Sequence, residues 1–403
     1  MFIVLRDENF WRRTPGGGTD SFSMGMGAST SDPATVQPNP SIEMADISAA
    51  EAKDASRDPS VLGVTRPMPI KLIAPQGGDA GTDTTTTWGV KAVGADTALT
   101  DGAGVKVAVL DTGIDPDHAA FQGVNLTMKN FTGGPDTAPD GNGHGTHCAG
   151  TVFGRDVDGQ RIGVAPGVTD ALIGKVLGDE GGGSSEMLFD GMQLAKRAGA
   201  QVISMSLGFD FPGLTARLID DGWPEKLAAS VALEAYRGNL RVFDAIMGMF
   251  GAMAEFDGGT VVVAASGNES ERQISPNFEV SASLPSAAEG VISVGALAEG
   301  ASGLTVADFS NTNPVLSAPG VNVVSAKPGG GLVALNGTSM ACPHVAGVAA
   351  LWWQALAQTP IPLSAKAVKA RLRASATTDV FAAGVDISDR GEGLAQAPSA
   401  AGS

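Results

Sequence analysis

Cysteine is close to absent from this chain: Cys148 and Cys342 are the two in 403 residues. Two thiols close at most one bridge, which excludes a disulfide-stapled scaffold and suits a reducing compartment. Basic residues are scarce beside acidic ones, 26 Lys and Arg against 43 Asp and Glu, a formal charge of −17. That sign excludes nucleic acid held on a basic surface as the partner. Long apolar runs are missing too; none reaches the roughly 18 residues of a membrane span, so no membrane partner is expected. The opening MFIVLRDENFWRR has four apolar residues and then charges. That is shorter than the apolar region of a secretory signal, and a cytoplasmic location is expected. Charged residues make only 17% and hydrophobic residues 43%. A wholly disordered chain would be polar and highly charged, so that class is excluded as well.

Glycine is in excess, at 55 residues, without the period of collagen. Such abundance points to tight turns and close backbone approaches. Residues 14–60 read as weakly ordered, and VLGVTRPMPIKLIAP (61–75) as apolar with a short extended strand in its middle. QGGDAGTDTTTT then reads as a linker, and a globular character begins at Trp88. From there short apolar runs alternate with helical patterns. VKVAVLD (105–111), ALIGKVL (171–177), QVISMSLG (201–208), TVVVAASG (260–267) and GVISVGAL (290–297) read as strands. Helices are expected over 145–153, 186–199, 224–256, 339–356 and 364–376. This alternation implies an α/β fold with a mostly parallel sheet and helices on both faces. In such sheets the site lies beyond the carboxyl ends of the strands.

Three residues occupy such places: Asp111 in VLDTGID, His144 in NGHGTHCAGT and Ser339 in NGTSMACPHVAG. A serine hydroxyl becomes a nucleophile when a base takes its proton, imidazole is the base suited to neutral pH, and a carboxylate holds its tautomer. The order Asp, His, Ser and the context G-T-S-M-A exclude the α/β-hydrolase arrangement. Taken singly, each has a structural alternative: an Asx-turn for Asp111, exchange of roles with His147 for His144, and an N-cap for Ser339. H-G-T-H-C lacks the i, i+4 histidines and intervening glutamate of a zinc helix, so no metal is expected there.

The three motifs together resemble those of the subtilisin-like serine proteases, the subtilase family, over roughly Trp88 to Ala397. The resemblance implies a three-layer sandwich and peptide-bond hydrolysis through an acyl-enzyme. Asp111 orients, His144 is base and then acid, and Ser339 attacks. Asn268, in VVVAASGNES, donates to the oxyanion together with the Ser339 backbone N–H. Ser206, Leu207 and Gly208 pair with the substrate; Ala265, Ser266 and Gly267 wall the pocket for the residue before the cleaved bond, and Ser283 lies near its floor. Glu269 stands at the rim. His118, His147 and His344 are read as loop or packed histidines. The two cysteines are read as small buried thiols, without a disulfide. The calcium carboxylate of secreted relatives is replaced by Ala120, and Asp156 and Asp158 are read as solvated; no cofactor is expected.

Residues 1–87 are expected to be a partly disordered prosegment or regulatory extension, 88–397 the catalytic domain and 398–403 a tail. LIAP resembles the tetrapeptide that blocks the cleft of intracellular subtilisins. The expectation is therefore a self-inhibited zymogen whose segment 68–75 occludes the cleft, trimmed between about 75 and 88. A helical insertion is expected at about 209–256. The face made by Phe243, Ile246, Met247, Met249, Phe250, Met253 and Phe256 reads first as a core face, with a lid or dimer contact as the alternative. The other functional class is a catalytically silent member that binds peptides.

Overall fold

The computed structural model describes residues 1–14, 35–79 and 85–399. In chain order the elements begin β1 (Phe2–Asp7), α1 (Phe10–Arg13), β2 (Pro40–Ala45), α2 (Ala49–Ala55), β3 (Val61–Thr65), β4 (Pro69–Leu72), β5 (Gln76–Gly77) and α3 (Trp88–Ala92). They continue with β6 (Lys106–Asp111), β7 (Asn125–Asn130), α4 (His144–Phe153), β8 (Asp170–Lys175), β9 (Gly182–Ser184), α5 (Ser185–Arg197), β10 (Val202–Met205) and β11 (Leu207–Phe209). Then come α6 (Phe211–Asp220), α7 (Glu225–Asp257), β12 (Val261–Ala265), β13 (Ile292–Gly300), β14 (Gly303–Val306), β15 (Leu316–Pro319), β16 (Val323–Ala326), β17 (Leu332–Asn336), α8 (Thr338–Ala357), α9 (Ala365–Ala374) and α10 (Ile387–Arg390).

By internal packing the chain forms two compact units: Met1–Met68 with Phe211–Gly259, and Pro69–Asp210 with Thr260–Ser403. The division expected at 87/88 therefore falls at Met68/Pro69, and the helical insertion groups with the N-terminal residues. The cause is visible in that unit. A side chain at Gly63 of β3 would strike Val242 of α7 at 2.7 Å, and one at Gly238 would strike Thr65 at 2.2 Å. Strand and helix approach closely because both carry glycine at the crossing.

Within this first unit β1 is the centre of a three-stranded antiparallel sheet in the order β2-β1-β3. Val4 faces Glu43 on one side and Val64 on the other. The stretch 14–60, expected to be weakly ordered, thus supplies a strand and a helix. Ser48 and Glu51 cap α2 reciprocally, each side chain taking the other's backbone N–H. Strand β2 is held by non-local pairing with β1, which its own pattern does not announce. Residues 15–34 of that stretch lie outside the described residues. The 33-residue α7 ends at Gly258 in the left-handed region. Its face Phe243, Ile246, Met247, Met249, Phe250 and Met253 is buried, while Phe256 is exposed. The core-face reading describes all of that set except Phe256.

The second unit is built on an eight-stranded sheet, β14-β13-β12-β10-β6-β8-β7 with β15 beside β13. Every pairing is parallel except β13 with β14. The near-continuous apolar strands follow from burial on both faces. Val107 and Val109 of β6 join the cluster of α4 and α8 residues that includes Cys148, Val152, Ala341 and Val345. Leu110 points to the opposite layer, where a side chain at Gly191 of α5 would meet it at 3.3 Å. Helices therefore cover both faces of a mostly parallel sheet, the expected three-layer α/β arrangement.

The single strand expected over 201–208 divides at Ser206 into β10 and β11. Strand β10 stays in the parallel sheet, and β11 leaves it for a small antiparallel sheet, β11-β4-β9. The apolar stretch 61–75 likewise forms two strands, β3 and β4, rather than one. Part of the expected linker after Pro75 is a strand too, since β5 pairs with β17. Among the described residues no helix is long and apolar enough to cross a membrane.

Candidate active site

Asp111 is the last residue of β6 and is fully buried. Its Oδ1 accepts from the Thr112 backbone N–H at 2.7 Å and lies 2.7 Å from His144 Nδ1. A carboxylate there fixes the tautomer with the proton on Nδ1, leaving Nε2 as the basic nitrogen. Among the described residues His144 Nε2 has no hydrogen-bond partner.

His144 is the first residue of α4, and the turn before it is organised by Asp140, which the sequence reading did not single out. Asp140 accepts from the backbone N–H groups of Asn142, Gly143 and Thr146 and from the Thr146 hydroxyl, at 2.6–3.2 Å. It also accepts from the Thr112 hydroxyl at 2.8 Å, and that hydroxyl accepts from the Gly145 N–H at 2.9 Å. One carboxylate thus ties the turn after Asp111 to the helix that carries His144. The position of Asp140 gave no signal, because the N-cap of α4 is Gly143 and Asp140 lies three residues before it, reaching the helix only where the turn folds back. Lys175 adds a second tie. Its ammonium donates to the Thr112 carbonyl and to Asp179 Oδ1, and Asp179 accepts from the Gly141 N–H. The lysine bond holds the Asp179 carboxyl below its ordinary range.

Ser339 is the second residue of α8, where backbone N–H groups have no intrahelical acceptor. Pro343 lies four residues on and cannot donate to the Ser339 carbonyl. That carbonyl instead accepts from Ser206 Oγ at 3.1 Å and Cys148 Sγ at 3.4 Å. Cys148 Sγ is also 3.7 Å from His144 Nδ1. The proline thereby opens a carbonyl that links the serine helix to both α4 and Ser206. The ligand atoms of Asp111, His144 and Cys148 lie within 4.8 Å of one another. Burial pushes the Cys148 thiol well up, so it is protonated, and the Cys342 thiol is pushed up to about 11.

Asn268 follows β12. Its Oδ1 accepts from the Thr338 N–H and hydroxyl at 2.9 and 2.8 Å, which leaves Nδ2 to point outward. Ser339 Oγ does not bond to the imidazole. It donates to the Ile73 carbonyl at 3.1 Å and lies 3.4 Å from the Ser206 carbonyl. Asn268 Nδ2 donates to the next carbonyl, that of Ala74, at 3.2 Å. The chain's own segment 69–77 therefore lies on these groups. Upstream of Ile73, β4 pairs with β11 on one side and β9 on the other. Downstream, β5 pairs with β17 just before α8.

Leu207 and Gly208 sit in β11, facing Leu72 and Lys71. Ala265 and Ser266 are buried, and Gly267 is in the left-handed region. A side chain at Gly267 would strike the Asn311 amide at 2.2 Å. Asn311, fully buried and missed by the sequence reading, accepts from the N–H groups of Glu269 and Ser270 and donates to the Ser266 carbonyl and Glu269 Oε2. It fixes the Ser266–Ser270 loop and occupies the Glu269 carboxylate. The Ser283 N–H reaches the Ser266 carbonyl at 3.4 Å, which places Ser283 beside Ser266.

The other histidines have structural partners. His147 Nε2 donates to the Val323 carbonyl, and burial together with His144 pushes its pKa down to about 3. His344 Nδ1 donates to Met340, and burial lowers it to about 4. His118 bridges the Ala120 N–H and the Gly331 carbonyl.

Residues 102–394 match the model of the subtilase family. The chain is 37% identical to subtilisin DY of Bacillus licheniformis over 278 residues, covering 68% of this chain and 85% of that protein. It is 36% identical to the intracellular serine protease of Paenibacillus polymyxa, covering 62% of this chain and 67% of that protein. The major intracellular serine protease of Bacillus subtilis (strain 168) is also 36% identical, with 62% and 68% covered.

Proposed function

The chain belongs to the subtilase family, and from that premise we propose a serine endopeptidase acting through Asp111, His144 and Ser339. The observation that carries this reading is the buried 2.7 Å Asp111–His144 bond, behind an imidazole whose Nε2 is left unpartnered. In the reaction Ser339 Oγ gives its proton to Nε2 and bonds to the carbonyl carbon of the substrate. Negative charge moves onto the carbonyl oxygen, where Asn268 Nδ2 and the Ser339 N–H receive it. His144 then protonates the leaving amine, and water, activated by the same imidazole, releases the acyl group. The substrate is a protein or peptide. A cytoplasmic place of action agrees with the two relatives named intracellular serine proteases.

We also propose that residues 1–87 are a regulatory extension and that the chain is made self-inhibited. Segment 69–77 lies along the cleft as a substrate would, yet the contact at Ser339 is unproductive. The Ser339 hydroxyl is engaged as a hydrogen-bond donor to the oxygen of Ile73 and not to the imidazole. The oxyanion donor Asn268 is spent on Ala74, one residue downstream. Pro75 follows at once and restricts Ala74 to extended conformations. Release would require a cut between about 75 and 88, a stretch that includes residues 80–84, which lie outside the described residues.

The test is fluorophosphonate labelling of the full-length chain. Label must be lost in Ser339→Ala. Ile73→Asp puts an unpaired charge where a buried apolar side chain sits and should raise the labelling rate roughly tenfold or more. No label in either chain would end the hydrolase reading; equal rates would end the occlusion reading alone.

A further inference from the structure

Backbone pairing in β4 holds any extended chain regardless of its side chains, so sequence preference has to come from groups that touch those side chains. One such group is charged. Lys71 Nζ lies 3.2 Å from Asp210 Oδ1. Asp210 directly follows β11, and its backbone N–H donates to the Pro69 carbonyl at 2.9 Å, so the carboxylate is pinned to the strand that the segment pairs with.

The register says which substrate position this is. The Ile73 carbonyl lies on Ser339 Oγ, so Ile73 stands at the residue before the cleaved bond. Leu72 and Lys71 face Leu207 and Gly208, and Ile70 faces Phe209. Lys71 is thus the third residue before that bond. Its neighbours are apolar: Ile70 and Ile73 are 1% and 3% exposed, and Ile70 packs against the backbone of Gly183. The turn Gly178–Gly181, whose last carbonyl accepts from the Leu72 N–H, carries the exposed Glu180 on the β9 side of the segment, opposite β11. Asp179 in that turn is already paired with Lys175. The net charge of −17 favours approach of cationic peptides in general.

We propose that Asp210 is a specificity-determining residue that selects a cationic side chain at the third position before the cleaved bond. The substrate class is then a peptide with an apolar–basic–apolar–apolar run, of which Ile70-Lys71-Leu72-Ile73 is the internal copy. This rests on the protease reading given above. The pair is partly exposed, with side chains 39% and 22% accessible, so its selectivity is modest. Lys over Gln should favour cleavage by about fivefold, and Lys over Glu by roughly tenfold or more, because repulsion replaces attraction.

The experiment uses the full-length chain carrying Ile73→Asp, with and without Asp210→Lys. The probes are Pro-Ile-Xaa-Leu-Ile-p-nitroanilides with Lys, Gln or Glu at Xaa. They are read both as kcat/KM and as protection of Ser339 from the fluorophosphonate, so that a ranking is obtained even where turnover is slow. The expected order is Lys, Gln, Glu, inverted by Asp210→Lys. Indifference to Xaa on a labelled enzyme overturns the role of Asp210 while leaving the protease reading intact. Absence of both label and cleavage overturns the protease reading itself. A second arm needs no Ile73 change: Lys71→Glu and Asp210→Lys should each speed labelling several-fold, and the double charge swap should restore the slow rate. Additive effects in the double variant refute the ion pair.

Discussion

Removing the Asp140 carboxylate should unsettle His144, the proposed base, without touching it. Asp140→Ala deletes the acceptor for three backbone N–H groups and two hydroxyls at the entrance to α4. Loss of a helix N-terminal acceptor costs about 1–2 kcal/mol. Thr112 and Thr146 are buried, and leaving each hydroxyl with a poorer partner adds about 1 kcal/mol apiece. The sum is about 3–4 kcal/mol, which for a unit of this size lowers Tm by roughly 5–7 °C. Activity should fall further than stability alone explains. The Thr112 hydroxyl couples Asp140 to Gly145, next to His144, and an error of about 1 Å in a catalytic group lowers rates by about 10². Asp140→Asn keeps the shape and one acceptor oxygen, so it should lie between. The assay is calorimetric Tm beside fluorophosphonate labelling, both well below Tm. An Asp140→Ala protein that melts within about 2 °C of wild type and labels at the same rate would refute the clamp.

Asn268→Ala should lower kcat on a released enzyme by about 10²–10³ with little change in KM, a magnitude that itself comes from subtilisin; an unchanged kcat would remove Asn268 from the oxyanion site. His147 and His344 are held neutral, down to about 3 and about 4, against a usual value near 6.5. The unfolded chain therefore binds more protons than the folded one between those values, and stability should fall as pH drops from about 6.5 towards 4. Denaturant titrations at pH 7 and pH 5 check this, and equal stabilities would contradict it. The buried, protonated Cys148 and Cys342 should resist iodoacetamide in the native chain. Mercuric ion reaching Cys148 Sγ, 3.7 Å from His144 Nδ1, should block labelling of Ser339. The Cys148→Ala, Cys342→Ala variant should then be insensitive, and equal sensitivity would exclude the thiols as the cause.

Local patterns made the sheet strands and main helices legible, because a strand buried on both faces must be continuously apolar and a surface helix must be amphipathic. The break of QVISMSLG at Ser206 was not legible. Its period is unbroken, and only the partner strands differ, β12 and β6 before the break and β4 after it. Strand β2 was hidden for a related reason, since its stability comes from β1, more than thirty residues away in sequence. Asn311 was invisible because its five side-chain hydrogen bonds run to a loop about forty residues earlier. Asp140 was not legible either, since it lies three residues before the N-cap Gly143 and reaches Thr146 only through the folded turn.

The residue types at Asp111, His144, Ser339 and Asn268 follow from the chain alone, since each chemistry needs a particular functional group at a strand end or helix start. The backbone terms are equally local: glycine at 267, and a proline at 343 that frees the Ser339 carbonyl. Tertiary structure alone decided what those groups presently touch. The hydroxyl of Ser339 points to Ile73 and not to the imidazole, and the amide of Asn268 to Ala74, because β4 and β5 find unpaired strand edges on both sides of the nucleophile. Edge pairing is a property of the assembled sheet, carried by backbone groups that every residue possesses: LIAP raised the expectation of an occluding segment, and the register that sets Ile73 on Ser339 and Ala74 on Asn268 came from the sheet.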